Sequence, residues 1–171
     1  MQRFLDAILL GLVAVTVIDV FDSTWSLTAP VASKFGAGGR VIQSMDPGVY
    51  RAVMLGIGVF MPLAIRWLVV SAAARGSRWL NIPNRDYWLA PERREQGVAR
   101  IRLWFTLLPI LAVAFGLAIH HAVMLANRSD PPRLDETFFW IAFGGFGLFL
   151  LAWIVGLHRA LRMDTARNAP R

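Results

Sequence analysis

Four stretches of the chain are apolar for long enough to cross a lipid bilayer, and they constrain everything between them. They cover residues 4–21, 52–74, 103–125 and 138–157, eighteen to twenty-three residues each. About 20 apolar residues in an α-helix cross the ~30 Å hydrocarbon core of a membrane. Only a helix or a closed barrel satisfies its own backbone polar groups there. The sequence therefore predicts an all-α fold, an integral-membrane four-helix bundle forming a single domain over residues 1–171. Composition points the same way. Hydrophobic residues make up 56% and charged residues 17%, against ~45–50% and ~25% in soluble domains. That balance excludes intrinsic disorder. The absence of cysteine excludes a disulfide framework and a thiolate metal site. In the first stretch, Asp6 and Asp19 leave only residues 7–18 free of charge. A basic start at Arg3 suggests a secretion signal, but no small-x-small cleavage site follows, and the reading is a retained helix.

Basic residues sort to one side of such a bundle. Arg3, the seven arginines of segment 75–102 and Arg159, Arg162, Arg167 and Arg171 make 12 on one face. Lys34, Arg40, Arg51, Arg128 and Arg133 make 5 on the other. Excess Lys and Arg marks the cytoplasmic side, so both termini and segment 75–102 are placed in the cytosol. The expected location is a bacterial inner membrane. The net charge of +7 is read as this bias and as affinity for anionic headgroups, not as nucleic-acid binding. Tryptophans cluster near the ends of the stretches, as interfacial belts require. The external segment 22–51 holds Gly36, Gly38, Gly39, Pro47 and Gly48, which favour irregular structure.

The cytoplasmic segment is more ordered in pattern than a plain loop. It reads Asn81-Ile82-Pro83-Asn84-Arg85-Asp86-Tyr87-Trp88-Leu89-Ala90-Pro91-Glu92-Arg93-Arg94-Glu95. Pro91 suits a first helical turn, and Glu92 and Glu95 suit its positive end. A helix is therefore expected to begin near Pro91 and to run into the third span. Tyr87, Trp88 and Leu89 should dip into the headgroup layer, while Arg85, Arg93 and Arg94 meet lipid phosphates or an acidic partner. This motif resembles a signature of a family of small bacterial multi-span membrane proteins of unknown function. That family is related to the N-terminal domain of sporulation-delaying-toxin immunity proteins. The family's external loop has a proline, a His-Phe pair and a glycine. Here Pro30, Lys34-Phe35 and Gly38 or Gly39 stand in those places, with lysine replacing the histidine. The resemblance implies a multi-span protein with the motif between its second and third helices and no established catalytic residues. For the immunity branch it implies toxin protection and signalling.

Ionisable groups within spans are functional candidates by default. Asp6 and Arg66 fall at similar depth on antiparallel neighbours, which predicts a pair; the alternative is an Arg66 that snorkels to phosphates. Asp19 and Asp22 share the opposite end with His120 and His121. A His–Asp pair there would serve as a proton relay or a weak metal site. A hydrogen bond from His120 to Asp19, Thr16 or a carbonyl is the structural alternative. His158 lies at the wrong depth to join His120 in ligating a haem. No metal or other cofactor is expected, and residues 36–39 lack the ending of a phosphate loop. Ala112–Gly116, Gly56, Gly58, Gly144, Gly145 and Gly147 are candidate sites of close helix approach. The reading that follows is a non-enzymatic protein acting through interaction, immunity-like, signalling or an accessory subunit. Its partners would be other membrane subunits or a second copy. The alternative is an oligomeric transporter or proton-coupled carrier subunit using Asp6, Arg66, Asp19 and His120.

Overall fold

The computed structural model describes residues 1–162. Arg167 and Arg171, part of the basic tail assigned to anionic lipid, lie outside the described residues.

Among the described residues, four helices are long and apolar enough to cross a membrane. They are α1 (Gln2–Trp25), α2 (Pro47–Ala74), α4 (Arg94–Asn127) and α5 (Glu136–Leu161). A one-turn helix, α3 (Arg85–Trp88), lies between α2 and α4. All four outrun the apolar stretches, and two of them, α2 and α5, are started early by polar caps. Asp46 accepts from the backbone N–H groups of Gly48 (2.7 Å) and Val49 (3.3 Å), with Pro47 in the first turn of α2. Asp135 does the same for Thr137 (2.9 Å) and Phe138 (3.3 Å) at α5. Each carboxylate satisfies donors that have no intrahelical partner.

The helices run up and down, but they do not close into a symmetrical four-helix bundle. The axis of the fold is α4, which packs against α1, α2 and α5, whereas α5 packs chiefly on α4 alone. Two prolines shape the central pair. Pro62 has no N–H to give and crowds the carbonyl four residues back. The preceding turn, Gly56–Phe60, widens into a π-helix in which Met61 N–H bonds to Gly56 O. That bulge is where α2 crosses α4. A Cβ on Gly116 would stand 3.3 Å from Gly58 Cα, so the two backbones meet as small residues permit. On α4, Pro109 leaves the Phe105 carbonyl without its usual donor. One turn away, Trp153 of α5 donates its Nε1–H to Trp104 O at 2.8 Å, and Trp104 in turn covers Gly156. Of the small residues singled out above, Gly58 and Gly116 are used. At Gly56, Gly144, Gly145 and Gly147 a Cβ would meet nothing within 4 Å.

Three expectations are corrected. The fold is mostly helical but includes a small two-stranded sheet, and segment 22–51 is not wholly irregular. It carries an antiparallel hairpin, β1 (Val31–Phe35) and β2 (Val41–Met45), pairing Val31 with Met45 and Phe35 with Val41. Of the residues read as loop formers, Gly36, Gly38 and Gly39 make its turn, in which Gly38 and Gly39 hold φ of +75° and +70°, whereas Pro47 and Gly48 open α2. The hairpin is fastened to the bundle. Val31 is buried with Tyr50, Val123 and Met124. The Asn127 side chain pairs with the free edge of β1, accepting from Ala32 N (2.8 Å) and donating to Ala32 O (2.9 Å). The turn docks on the chain leading into α5 through Leu134 N to Gly39 O (3.0 Å), Gly38 N to Glu136 Oε1 (2.7 Å) and Arg133 Nε to Gly38 O (2.8 Å). The third correction concerns α4, which starts at Arg94, three residues beyond the expected Pro91. Residues 91–93 form a turn closed by Arg93 N to Ala90 O at 3.0 Å. The chain must fold back here because Gly97 packs directly on the Trp88 carbonyl, where a Cβ would fall 2.2 Å from its oxygen.

At Gly39 a side chain meets both a positive φ and the Leu134 carbonyl, 2.1 Å from an ideal Cβ. Gly39→Ala should therefore release the hairpin from α5 while leaving the helices intact. The check is proteolysis of detergent-solubilised protein, with faster cleavage within residues 36–46 and unchanged helical circular dichroism.

Candidate functional site

Three groups of polar residues stand out, and each is built from different elements. At the arginine-rich end, Arg66 of α2 places Nη2 2.6 Å from Asp6 Oδ1 of α1 and Nε 3.0 Å from Thr106 Oγ1 of α4. Gln2 Nε2 completes the knot, donating to Asp6 Oδ1 at 3.1 Å and to Thr106 Oγ1 at 3.0 Å. The Asp6 and Arg66 side chains keep 38% and 26% of their surface open, so this is a half-buried pair. Thr106 is fully buried and donates its own proton to Arg102 O at 2.7 Å. The sequence brought Asp6 and Arg66 together; Gln2 and Thr106 it did not. Gln2 stands one turn before Asp6, the i,i+4 spacing of a side-chain pair, which is the signal that was there to read.

At the hairpin end, His120 of α4 is fully buried between α1 and α2. Its Nε2 lies 2.9 Å from Ser23 Oγ and 3.5 Å from Asp19 Oδ2, and its Nδ1 lies 2.9 Å from the Tyr50 hydroxyl. Ser23 already donates to Asp19 O at 2.7 Å. A neutral imidazole has one donor and one acceptor nitrogen. The arrangement therefore assigns the proton to Nε2, with Nδ1 accepting from Tyr50. Asp19 also stands 3.6 Å from Nδ1 of His121, whose side chain is 61% exposed. Asp22, weighed with Asp19 from the sequence, is exposed and takes no part. Thr16 bonds its own helix at Leu12 O instead of His120. Ser23 and Tyr50 were not singled out from the sequence, because neither carries charge and Tyr50 sits outside the apolar stretch.

The two knots lie 14 residues apart on α4, from Thr106 to His120, which at 1.5 Å per residue is about 21 Å. Between them, Pro109 and Val113 are buried and apolar. Asp6, Arg66, Asp19 and His120 thus make two separate ties and not one continuous polar path.

The third group is the segment between α2 and α4, and here placement differs from expectation. Trp88 and Leu89 do not dip outward; they are 7% and 6% exposed and pack with Ile82, Ala73, Ile101, Leu157 and Leu161. Trp88 Nε1 donates to Leu161 O at 2.8 Å, and Asn84 Nδ2 donates to the same oxygen at 2.9 Å. Arg100 adds a bond to Ala160 O at 2.8 Å while lying 4.4 Å from the Trp88 ring. The last carbonyls of a helix have no intrahelical donor and carry partial negative charge. The motif thus acts as a cap on the C-terminus of α5. Asn84 reaches it from a left-handed conformation, φ +53°, which asparagine tolerates better than most residues. Arg94 turns back to Leu89 O at 3.4 Å, and Arg85 reaches Ser77 O at 3.2 Å and pairs with Asp86. Of the five residues proposed as a contact surface, only Arg93 is exposed; its guanidinium lies 4.4 Å from the ring of half-buried Tyr87, which packs against the same apolar cluster. Exposed Trp79 stands in the same segment, at 96%.

Among the described residues no cluster of three or more His, Asp or Glu side chains has the geometry of a metal site. Every buried side-chain nitrogen or oxygen among them has a hydrogen-bond partner. No protein family, characterised protein or solved structure matches this chain.

Removing one member of the Asp6–Arg66 pair leaves the other without its counter-charge. Asp6→Leu and Arg66→Leu should each lower stability by about 1–2 kcal/mol, discounted for partial exposure. The double variant should cost less than the sum. Thermal unfolding in detergent micelles reads this coupling, and additive losses would mean that the pair contributes nothing.

Proposed function

We propose that this chain is a multi-pass membrane protein of the bacterial inner membrane, with both termini cytoplasmic, that acts by binding another membrane component and not by catalysis. The observation that carries the reading is the state of its polar groups. Those within the long helices are spent on tying α1, α2 and α4 together, and those of the 81–95 motif largely on capping α5 and closing its own turns. What the motif leaves exposed includes Arg93, set over half-buried Tyr87, along with Asp86, Glu92 and Glu95; Trp79, also exposed, stands in the same segment between α2 and α4. An exposed cation over an aromatic ring, with an exposed indole elsewhere in the same segment, is suited to an acidic, partly apolar partner surface at headgroup level. Interfaces favour such side chains, since Arg, Trp and Tyr supply most binding energy. The resemblance of the 81–95 motif to the immunity-related family is in keeping with this role, as an immunity-like, signalling or accessory component. The separation of the two intramembrane knots weighs against the carrier alternative, which needs a continuous polar route.

Arg93→Glu is the decisive variant, because Arg93 is exposed and no part of the cap's core depends on it. A photoreactive amino acid at Trp79 should cross-link one defined membrane protein in native membranes. Arg93→Glu should reduce that adduct about tenfold or more, the scale of a ~1.4 kcal/mol interface residue, without lowering expression. An adduct of undiminished yield in Arg93→Glu, or no adduct at all, contradicts the proposal.

A further inference from the structure

At the hairpin end a groove of about 570 Å³ lies between β1, the outer turns of α4 and the start of α5. Its size is that of a small-molecule site, typically about 300–1,000 Å³. The floor is apolar, formed by Ile119 and Val123 of α4 and by Phe139 and Trp140 of α5. The rim carries one cation, Lys34, and one carboxylate, Glu136. Lys34 is exposed and, among the described residues, has no carboxylate within ion-pair distance. Glu136 is half-buried; its Oε1 accepts from Gly38 N at 2.7 Å, while Oε2 has no hydrogen bond among the described residues. The docked hairpin holds the groove open. The turn above it is pinned by Leu134 N to Gly39 O and Arg133 Nε to Gly38 O, so Lys34 and Glu136 belong to two elements locked together.

We propose that this groove is a binding site for a phosphatidylethanolamine-type lipid. An acyl chain would lie along Ile119, Val123 and Phe139, and the headgroup would straddle the rim. The charge pattern selects the class. The lipid phosphate is an anion for the Lys34 ammonium, and the primary ammonium carries three donors for the free Glu136 oxygen. A phosphatidylglycerol has no cation to offer Glu136. A phosphatidylcholine has a cation without N–H donors. Trp140 lies at the end of the apolar stretch, where indole rings sit at headgroup depth, so floor and rim match the tail and head of a lipid already in place. The proposal rests on the membrane-spanning reading above, though not on the partner assigned there.

The test is native mass spectrometry of the full chain, released from detergent after incubation with equal amounts of phosphatidylethanolamine, phosphatidylglycerol and phosphatidylcholine carrying the same acyl chains. The wild type should retain phosphatidylethanolamine about two- to fivefold over the other two, the size of one exposed ion pair. Glu136→Gln keeps an oxygen for Gly38 N and should bring phosphatidylethanolamine and phosphatidylglycerol to parity. Lys34→Gln should lower retention of all three. Equal retention by the wild type, or a preference that survives Glu136→Gln, overturns the assignment. Flotation of each protein with vesicles of the three lipids reports separately on the membrane reading. Proteins that float but show no preference sink the groove alone, and a wild type that fails to float sinks both.

Discussion

A polar side chain on a helix surrounded by hydrocarbon has no water to bind, so it must find its partner in the same molecule or be displaced to the edge. On the proposed membrane-spanning reading, that demand is met in this chain by α4. Thr106 and His120 are both fully buried, and each receives groups from α1 and α2, so that one helix carries two polar knots. Apolar packing between helices is weakly directional in lipid, because the tails are as apolar as leucine. Hydrogen-bonded knots are directional. Two of them, about 21 Å apart at 1.5 Å per residue, fix both the tilt and the rotation of α1 and α2 about α4 in a way that van der Waals packing alone does not. The Gly58–Gly116 crossing between them then sets how closely α2 can approach.

The same demand explains α5, which lacks any such knot. It is attached at three places: the Trp153 bond to Trp104 O beside the Pro109 break, the hairpin turn docked ahead of its first residue, and the cap formed by Asn84, Trp88 and Arg100 on its last carbonyls. Its middle lies on α4 through apolar contact alone, with Phe146 stacked on Phe115 at 4.4 Å between ring centroids, while Gly144, Gly145 and Gly147 meet no neighbour. The 81–95 motif therefore joins structure and function. It closes the end of α5 with its inward residues and exposes Arg93, set over half-buried Tyr87, on its outward side.

How far the residues alone revealed this differs from place to place. The long helices were legible because apolar run length is a strong signal, and the Asp6–Arg66 geometry because two charges at equal depth on antiparallel helices have few other options. The hairpin was not. Strands β1 and β2 are five residues each with no clean alternation, and the docking of β1 depends on Asn127, 95 residues from Ala32. Trp88 was placed outward because tryptophan beside arginine usually marks an interface. Its burial depends on Leu161, a partner 73 residues distant that local pattern cannot supply. Gly97 was passed over although it records the same packing, since only a residue without Cβ fits against the Trp88 carbonyl. Long-range capping is where local reading fails, and here it governs both the motif and the hairpin.

The central claim is that the chain threads a bilayer four times, with the hairpin on one side and the 81–95 segment on the other. The absence of cysteine makes a direct measurement possible, since any introduced thiol is unique. Ala37→Cys lies in the hairpin turn and Ala90→Cys in the opposite segment. A membrane-impermeant maleimide applied to intact spheroplasts should label Ala37→Cys at once and Ala90→Cys only after the membrane is permeabilised. Labelling of both from outside, or of Ala90→Cys alone, would contradict the account.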